Sequence, residues 1–585
     1  MPPSTTGQWT GALHFVLPVP GPPLRDGAGH EIAGGDPRGL FVLHAILLHT
    51  GKVLCFCGHV ELAFYPPLSY VFDPDDPGAL LTAIPFPPGM DLFCCHYVQL
   101  PNGNILVVGG SDKNFVAHGS VGAKNICFFK PSAKAPFGQW VNTGNELIQG
   151  RWYPTPVMLP DGRVMVVSGR PEHGGGVISD KVEILSPPHR KSTEQTGATK
   201  QFPIYPGLHL APNGKVYWTG TTWGQEIPNP DTALIEIPAS PATSTPWTPF
   251  PGTHPTQPRR EEGMSVLLPL TGGATDGDIL VIGGTNALRA DGTSVVQGAA
   301  PFGAAVFDHI ADPADARSAD ILKTSVDPPV WSTTPPTMNF SHTNGHCVLL
   351  PDETVLICGG HNGYKWQPTP GTQFTLEAEL FTPGGGFTRL TPTVAETNDR
   401  MHVPRMYHSV ALLLPDGRVW VAGGADPNRV EPRLTFPAGW AGPKYGVPGD
   451  PNPDFRNDIP ENDKTWEFFE PPYFFKPDRA SQPEIDDVVR GGSTTRRIKY
   501  GSTFKIKTRQ ASSIDRVAIM RPGAPTHHTD TEQRYVRLTF TKGTNELNVT
   551  MESDKKKAPP GFYMLWIIDS SKRPCKRAQF IHVVP

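Results

Sequence analysis

The sequence predicts an all-β protein made of a seven-bladed β-propeller and a β-sandwich that follows it. Three observations carry this prediction: a hairpin phrase that occurs seven times, a high content of turn-forming residues, and a change of pattern after Pro477. The 67 prolines and 61 glycines among 585 residues suit many short strands joined by tight turns. A chain of this length exceeds the usual size of one domain, so two domains are expected.

The repeated phrase is an apolar strand, a tight turn, a second apolar strand and a glycine pair or its remnant. In order, its copies read LLHTGKVLCFCG, VQLPNGNILVVGG, VMLPDGRVMVVSG, HLAPNGKVYWTG, TDGDILVIGG, VLLPDETVLICGG and LLLPDGRVWVAGG. In most copies Asn-Gly or Asp-Gly supplies the positive φ angles of a hairpin turn. The turns recur every 50 to 75 residues or so, roughly the length of a four-stranded blade with its loops. Seven such units predict a kelch-type propeller, which closes without long exposed edges.

The chain is expected to divide into residues 1–465, the propeller with a functional rim, and residues 466–585, the sandwich. A stretch rich in Pro, Asn and Asp follows the last repeat, and the apolar EFFEPPYFF comes after it. Beyond Pro477, segments such as STFKIKT, YVRLTF and GFYMLWII alternate or form apolar runs, and the glycine-pair hairpin does not recur. About seven short strands in this part predict an immunoglobulin-like β-sandwich packed against the propeller.

Charge and hydropathy argue against two classes of partner. The formal net charge is -4 and no long basic run occurs beyond Lys555–Lys557, so nucleic acid is not an expected partner. No stretch approaches the roughly 18 to 20 apolar residues that span a bilayer, so no membrane partner is expected either. The first residues lack the pattern of a signal peptide. The eight cysteines do not form a disulfide scaffold, and they leave the redox compartment open.

Side chains at the same offset in different blades converge around the propeller axis. Counting back nine residues from the turn glycine reaches Cys94, Tyr153, Tyr205 and His408, and Tyr407 lies one residue before the last. This offset is where each inner strand begins, at one mouth of the axial channel. Phenolate and imidazole groups gathered there suit Cu(II), so a metal site is one interpretation. Structural packing or channel lining is the alternative that spacing alone leaves open.

Five phrases around these positions resemble the galactose oxidase and glyoxal oxidase family of copper radical oxidases. The phrases are DLFCC (91–95), RWYPT (151–155), RMYHS (405–409), THHTDTEQR (526–534) and PPGFYMLWIID (559–569). The resemblance covers nearly the whole chain, because each phrase lies in the repeat or domain where the family has it.

The resemblance implies one copper ion bound by Tyr153, Tyr407, His408 and His527, the last of these from the sandwich. It also implies a thioether between the Cys94 sulfur and the ring of Tyr153, which makes a radical cofactor out of the protein itself. Such a cofactor would accept the second electron of a two-electron oxidation, since copper accepts only one. Cys94, Tyr153 and Tyr407 are the catalytic residues so implied.

Two adjacent residues are alternatives to members of this set. Cys95 follows Cys94, and His528 follows His527. The phrase DLFCC favours Cys94 for the thioether, since the family cysteine follows Phe directly. The THxxxTxQR frame favours His527 for the imidazole.

The activity implied by the resemblance is oxidation of a primary alcohol or an aldehyde hydrate by O2, with release of hydrogen peroxide. Tyr407 would take the substrate proton, and the radical on Tyr153 would take a hydrogen atom from carbon. One rival interpretation is a non-catalytic kelch-type binding or scaffold protein, which has no need for the five site residues. A metal-dependent lyase or hydrolase is a second rival, but it has no use for Cys94 beside Tyr153.

The sequence departs from galactose oxidase in two places. Galactose oxidase has a tryptophan over the thioether, just after the glycine pair of the third blade, but here the chain reads VVSGRPEHGGG and has none. Either an aromatic residue from a different blade covers the Cys94 sulfur, or the radical is less protected. His361 stands where galactose oxidase has a sugar-contacting glutamine, so galactose is not the expected substrate. The residues predicted at the substrate mouth are Glu172, His173, Tyr205 and His361. The resemblance suggests a secreted or extracytoplasmic protein, and a monomer is expected.

Overall fold

The computed structural model describes residues 7–14, 42–57, 68–112, 121–172, 178–219, 221–222, 233–236, 246–249, 260–284, 317–362, 374–390, 400–424, 465–476 and 481–585. Regular structure in these ranges consists of β-strands and three short 3-10 helices, Thr196–Ala198, Pro472–Phe475 and Ala511–Ser513. The all-β prediction is therefore confirmed. Among these helices, none has the length and apolarity to cross a membrane.

Seven antiparallel sheets follow one another along the chain, as the hairpin phrase predicts. The first strand of each blade contacts the first strand of at least one neighbouring blade, so these strands line the axis. The first six blades comprise His44–Leu47, Val53–Phe56, Leu68–Phe72 and Thr82–Pro85; Cys95–Gln99, Ile105–Gly109, Asn125–Pro131 and Gly138–Glu146; Thr155–Met158, Val164–Val167, Glu183–Leu185 and Ser192–Glu194; Leu208–Leu210, Val216–Trp218, Ala233–Ile235 and Thr248–Pro249; Met264–Leu267, Ile279–Ile282, Ala319–Lys323 and Val330–Trp331; and His346–Leu349, Val355–Cys358, Ala378–Thr382 and Gly386–Arg389. A parallel pair, Thr221–Thr222 and Arg260–Glu261, links the fourth and fifth blades.

The seventh blade joins two distant parts of the chain. Its strands Ser409–Leu413, Val419–Gly423 and Thr465–Glu470 are completed on the outside by Gln8–Trp9 and Leu13–His14. The N-terminal segment thus closes the ring, which removes the edge that an open propeller would expose. The predicted domain boundary at 465 falls at the start of the third strand, which pairs with the second and so forms part of the propeller.

Buried ion pairs recur beneath one rim of the propeller. They are Arg151–Glu183 at 2.8 Å, Arg260–Asp320 at 2.6 Å and Arg405–Glu467 at 3.1 Å, all with side chains fully buried. Glu183 and Glu467 also accept backbone N–H groups from the loops that precede these arginines. Removing one partner of such a pair leaves a buried charge and costs about 3 to 5 kcal/mol. The pairs therefore fix the backbone from which the rim residues project.

The C-terminal domain is a single path of nine strands folded into a sandwich. The strands are Asp487–Arg490, Ser493–Thr494, Arg497–Lys499, Thr503–Lys507, Ile514–Arg521, Arg534–Gly543, Glu546–Thr550, Gly561–Asp569 and Gln579–Val584. The long strand Arg534–Gly543 pairs through its first half with Ile514–Arg521 and through its second half with Glu546–Thr550, so it belongs to both sheets. This confirms the predicted sandwich, with short strands added to the seven that the sequence pattern indicates.

The sandwich docks on the face of the propeller that carries the hairpin turns. The backbone N–H of Ala578 donates to Pro415 O at 2.7 Å, and the Phe562 ring stacks on His49 with centroids 4.2 Å apart. At the turn of the sixth blade, Glu353 accepts hydrogen bonds from Arg537 and from the Tyr535 hydroxyl. The propeller mouth with the rim residues lies at the opposite end of the same inner strands.

One loop of the sandwich, residues 522–533, reaches that opposite mouth through the axial channel; we name it the axial finger. Near its base the Glu532 carboxylate accepts the N–H of Gln99 at 3.0 Å. Further along, the Thr531 hydroxyl donates to Pro156 O at 2.9 Å. At its tip Thr526 Oγ1 lies 2.9 Å from Nδ1 of His44, on the first blade. The finger thereby brings residues of the second domain to the rim.

Candidate metal centre

Six blades place a non-glycine residue in the left-handed region at the start of the inner strand. These residues are Cys94 (φ 55°), Tyr153 (φ 65°), Tyr205 (φ 45°), Glu262 (φ 59°), Asn344 (φ 57°) and His408 (φ 68°). Backbone hydrogen bonds join neighbours in this set, with Tyr153 N–H donating to Cys94 O at 3.0 Å and Tyr205 N–H to Tyr153 O at 3.1 Å. Such conformations cost on the order of 1 to 3 kcal/mol each and cluster at functional sites.

The tip of the axial finger is a two-residue turn made of histidines. Thr526 and Thr529 exchange backbone hydrogen bonds of 3.0 and 2.9 Å across it. The two central residues, His527 and His528, have φ of 47° and 55°. Positive φ at both central positions is the type I′ arrangement, which normally takes Asn-Gly. The finger tip therefore holds two buried imidazoles on a strained turn.

The five residues implied by the resemblance meet at this tip. The hydroxyls of Tyr153 and Tyr407 lie 2.6 Å apart, and Cys94 Sγ is 3.8 Å from Nε2 of His527. The His527 ring centroid is 4.9 Å from that of Tyr153, 5.2 Å from that of Tyr407 and 4.8 Å from that of His408. One cluster thus draws on the second, third and seventh blades and on the second domain.

The donor set of this cluster suits a copper ion. Two phenol oxygens and two imidazoles are ligands that Cu(II) accepts, and Nδ1 of His527 is 2.8 Å from Thr526 Oγ1, which directs Nε2 to the other donors. Among the described residues, no three His, Cys, Asp or Glu side chains form a metal-binding group on their own. The phenols of Tyr153 and Tyr407 are therefore essential to any metal site here.

Burial sets the protonation of the cluster. It raises the pKa of Tyr153 well above the ordinary value, and the neighbouring Cys94 and Tyr407 raise it further. It lowers the pKa of His527 well below the ordinary value, and His408 adds to this shift. Both shifts favour neutral groups, and a bound cation would reverse the penalty on a phenolate.

Trp152 is an aromatic neighbour of the thiol that the sequence analysis did not assign. Burial raises the pKa of Cys94 well above its usual value, while hydrogen bonding with the Tyr153 and Trp152 side chains acts in the opposite direction. The indole meets the Tyr153 ring edge to face at 4.1 Å, and the Arg170 guanidinium lies 5.7 Å from the indole centroid. This aromatic comes from the same blade as Tyr153, and its signal is the second letter of RWYPT.

The residues predicted at the substrate mouth lie in different surroundings. Glu172 accepts the Gly150 N–H at 2.6 Å and pairs with Lys124 at 2.8 Å, so its carboxylate holds a loop. The Tyr205 ring lies 4.5 Å from that of Tyr153 and 4.8 Å from that of His527, while its hydroxyl donates to a backbone carbonyl. Burial lowers the pKa of His361 to about 4. His173 lies outside the described residues. The substrate roles of all four stay predictions.

Two rim residues escaped the sequence analysis and complete a buried polar group with His361. The Asn344 amide donates to Glu262 Oε2 at 2.7 Å and lies 3.3 Å from Nε2 of His361. In the sixth blade Glu353 takes the place of the turn glycine. Counting back nine residues from Glu353 reaches Asn344, as the same count does from the turn glycine in other blades. Glu262 lies further from its turn, because the fifth hairpin carries the insertion TGGATDG.

Comparison with known proteins gives the same family over most of the chain. The family model described as glyoxal oxidase N-terminus matches residues 85–438, and the galactose oxidase-like early set domain matches residues 483–583. The aldehyde oxidase GLOX of Vitis pseudoreticulata is 28% identical over 505 residues, covering 82% of this chain and 80% of that protein. Galactose oxidase of Gibberella zeae is 26% identical over 509 residues, and the match covers 83% of this chain and 60% of that galactose oxidase.

A solved structure confirms the fold as a whole. A fungal alcohol oxidase of the AA5 family, in complex with copper, superimposes with a TM-score of 0.68 at 20% identity. The match covers 99% of this chain and 100% of that one. At this level of identity the likeness concerns the fold, which supports the predicted arrangement of a propeller followed by a sandwich.

Proposed function

Because the chain belongs to the family defined by the glyoxal oxidase N-terminus, whose model covers residues 85–438, we propose that it is a copper-dependent oxidase. Its substrate is a primary alcohol or an aldehyde hydrate, and O2 is the acceptor and leaves as hydrogen peroxide. The observation that carries this proposal is the meeting of two phenols and two imidazoles within one buried cluster. A scaffold protein has no need of strained backbone at these positions.

The ligands of the copper ion in this proposal are Tyr153, Tyr407, His408 and His527. The bound ion would lower the pKa of a coordinated hydroxyl group and accept one electron. The Tyr407 ring stacks on His408 at 3.8 Å, which holds both donor groups on one side of the cluster. The imidazole of His527 faces them from the axial finger.

Tyr407 is proposed as the general base. Its phenol oxygen lies within 2.6 Å of the Tyr153 oxygen, so the two share one proton position between them. A phenolate at this position can take the proton of a substrate hydroxyl and return it when product leaves.

Cys94 is proposed to form a thioether with the ring of Tyr153. Oxidation of an alcohol to an aldehyde removes two electrons, while copper accepts one, so the modified tyrosine would accept the other. Forming the link makes one Sγ–C bond and breaks one S–H and one C–H bond. The two protons and two electrons released pass to O2, which becomes hydrogen peroxide. The contact of the thiol with Tyr153 supports this assignment.

The physiological setting is also a proposal. Galactose is not favoured, because His361 replaces the glutamine that the resemblance would require for it. Among the partners we propose a small alcohol or aldehyde and O2, and a monomeric, extracytoplasmic enzyme. A screen of alcohols and aldehydes with a peroxidase-coupled assay identifies the substrate class.

Mass spectrometry of the copper-loaded protein, incubated in air, tests the proposal. The intact chain should become lighter by about 2 Da, and the peptides that carry Cys94 and Tyr153 should stay joined after proteolysis. The same sample should produce hydrogen peroxide with at least one alcohol or aldehyde. Separate peptides, together with no peroxide from any substrate, would favour the scaffold interpretation.

A further inference from the structure

A chain of hydrogen bonds leads away from His527 on the side opposite the proposed copper ion. Nδ1 of His527 lies 2.8 Å from Thr526 Oγ1, and the same oxygen lies 2.9 Å from Nδ1 of His44. All three residues are fully buried. These hydrogen bonds therefore join the first blade to the axial finger at His527. The His527 ring also contacts Tyr205 of the fourth blade and Tyr407 of the seventh.

Two positions of the His527 proton are compatible with these contacts. A threonine hydroxyl donates one proton and can accept others, and the Thr526 hydroxyl also forms a hydrogen bond with the Tyr205 side chain. If His527 carries its proton on Nδ1, it donates to Thr526, and the Thr526 hydroxyl proton goes to His44 or to Tyr205. In the reverse arrangement Thr526 donates to Nδ1 of His527, and the proton of His527 sits on Nε2. Only the first arrangement leaves a lone pair on Nε2 for a metal.

The surroundings hold His44 in place for this role. Its ring stacks on Phe56 with centroids 4.7 Å apart and meets the edge of Tyr97 at 5.7 Å. A backbone bridge also pairs His44 with Thr526, so the ring and the hydroxyl are fixed relative to each other. Among the described residues, Nε2 of His44 has no hydrogen-bond partner, so its only polar contact on this side runs through Nδ1.

We propose that Thr526 and His44 are positioning residues for His527: they set its tautomer and ring orientation so that Nε2 faces the copper ion. Partners of this kind are common behind metal-bound histidines, and their loss weakens metal binding about 10- to 100-fold. The inference rests on the proposed function, because it assumes that His527 is a copper ligand. It assigns a role to Thr526, which opens the phrase THHTDTEQR, and to His44, to which neither the phrases nor the offsets of the sequence point.

The test uses the full chain and Cu(II) itself, in two measurements that do not depend on turnover. Competition titration gives the dissociation constant for Cu(II). Pulsed electron paramagnetic resonance of the Cu(II) form detects the remote nitrogen of each bound imidazole, whose quadrupole coupling depends on its hydrogen bond. The variants are Thr526→Val, Thr526→Ser and His44→Phe.

Thr529→Val is the matched control. Thr529 belongs to the same turn and makes the same reciprocal backbone bonds, but its side chain is outside the hydrogen-bonded chain. Thr526→Val should bind Cu(II) about 10- to 100-fold more weakly and shift the remote-nitrogen coupling of one imidazole. Thr526→Ser should restore both values, and Thr529→Val should leave both close to wild type. His44→Phe should shift the same coupling by a smaller amount, because Thr526 still accepts the proton.

The outcomes separate this inference from the proposed function. If wild type shows two coupled imidazoles while Thr526→Val and Thr529→Val behave alike, the positioning role is wrong and the copper site stands. If wild type shows no imidazole coupling, the proposed ligand set itself is wrong. Should Thr526→Val not fold, His44→Phe decides alone, since an unchanged coupling there overturns the proposal.

Discussion

The hydroxyl groups of Tyr153 and Tyr407 lie 2.6 Å apart, although 254 positions separate the two residues in the chain. Each sits at the start of an inner strand, and each is preceded two residues earlier by a buried arginine that pairs with a glutamate. The blade framework therefore sets this distance, and the third and seventh blades must both be in place for it.

Replacing Tyr407 by Phe removes a proposed ligand and the proposed base while keeping the ring that stacks on His408. We expect peroxide production to fall by about 10²- to 10⁴-fold, the usual contribution of a positioned base. A peroxidase-coupled assay under saturating substrate measures this. Tyr217→Phe is the control: its hydroxyl accepts a hydrogen bond from Asn213 near a hairpin turn, far from the rim, and activity should stay close to wild type.

Two adjacent cysteines can be told apart by mass. Cys94→Ser should abolish the loss of about 2 Da on copper loading and most of the activity, whereas Cys95→Ser should retain both. Only Cys94 lies 3.8 Å from His527, while Cys95 belongs to the apolar cluster between the first two blades. A joined peptide pair in Cys94→Ser would move the thioether to Cys95.

Glu353 occupies the left-handed turn position of the sixth blade with φ 75°, where most other blades have glycine. Its carboxylate accepts from Arg537 at 2.6 Å and from the Tyr535 hydroxyl at 3.0 Å. Glu353→Gln should lower the free energy of unfolding by about 1 kcal/mol, since the pair is partly exposed. Glu353→Gly loses the same contacts but relieves about 1 kcal/mol of backbone strain.

The order of melting temperatures measures the effect at Glu353: wild type and Glu353→Gly should lie close together, with Glu353→Gln below both. Equal melting temperatures for the two variants would mean that the turn stores no strain.

Buried histidines should make the propeller sensitive to mild acid. Burial lowers the pKa of His209 to about 3, below the unfolded value of 6.5. Above pH 6.5 neither state is protonated, so the full stability is present. As the pH falls from 6.5 towards 3, the unfolded chain binds a proton that the folded protein does not, and about 1.4 kcal/mol is lost per pH unit.

His209→Gln tests this linkage, because glutamine can still reach Ser265, the partner of His209 at 2.8 Å. Between pH 7.5 and 5 the variant should lose about 2 kcal/mol less stability than wild type. The comparison needs denaturant curves of both proteins at the two pH values. Parallel losses would show that His209 titrates alike in the folded and unfolded chains.

The fold and the core of the site follow from local sequence signals. In a propeller, residues at the same distance from the hairpin turn of each blade occupy equivalent positions around the axis. The hairpin turns locate the inner strands, and the same count leads to Cys94, Tyr153, Tyr205 and His408. Glu262 and Asn344 share their backbone geometry yet were missed, since one turn carries an insertion and another uses Glu353 in place of glycine.

Other features depend on contacts that no local signal encodes. The strand Gln8–Trp9 closes the seventh blade by pairing with residues far along the chain, and two residues are too few for a periodic pattern. The contact of His44 with Thr526 joins the first blade to the second domain. Thr526 opens a family phrase, but nothing in that phrase points to His44 as its partner. His527 was reached through a family phrase, and its position on the propeller axis is evident only once both domains are assembled.

The axial finger has a consequence for the order of biosynthesis. A ribosome has completed all seven blades before it translates residues 526–529. A propeller that folds at that stage would lack His527, one of the four proposed copper ligands. The proposed copper chemistry would then begin only after the sandwich has folded and its loop lies in the channel. A polypeptide truncated before residue 526 would therefore lack the complete proposed site.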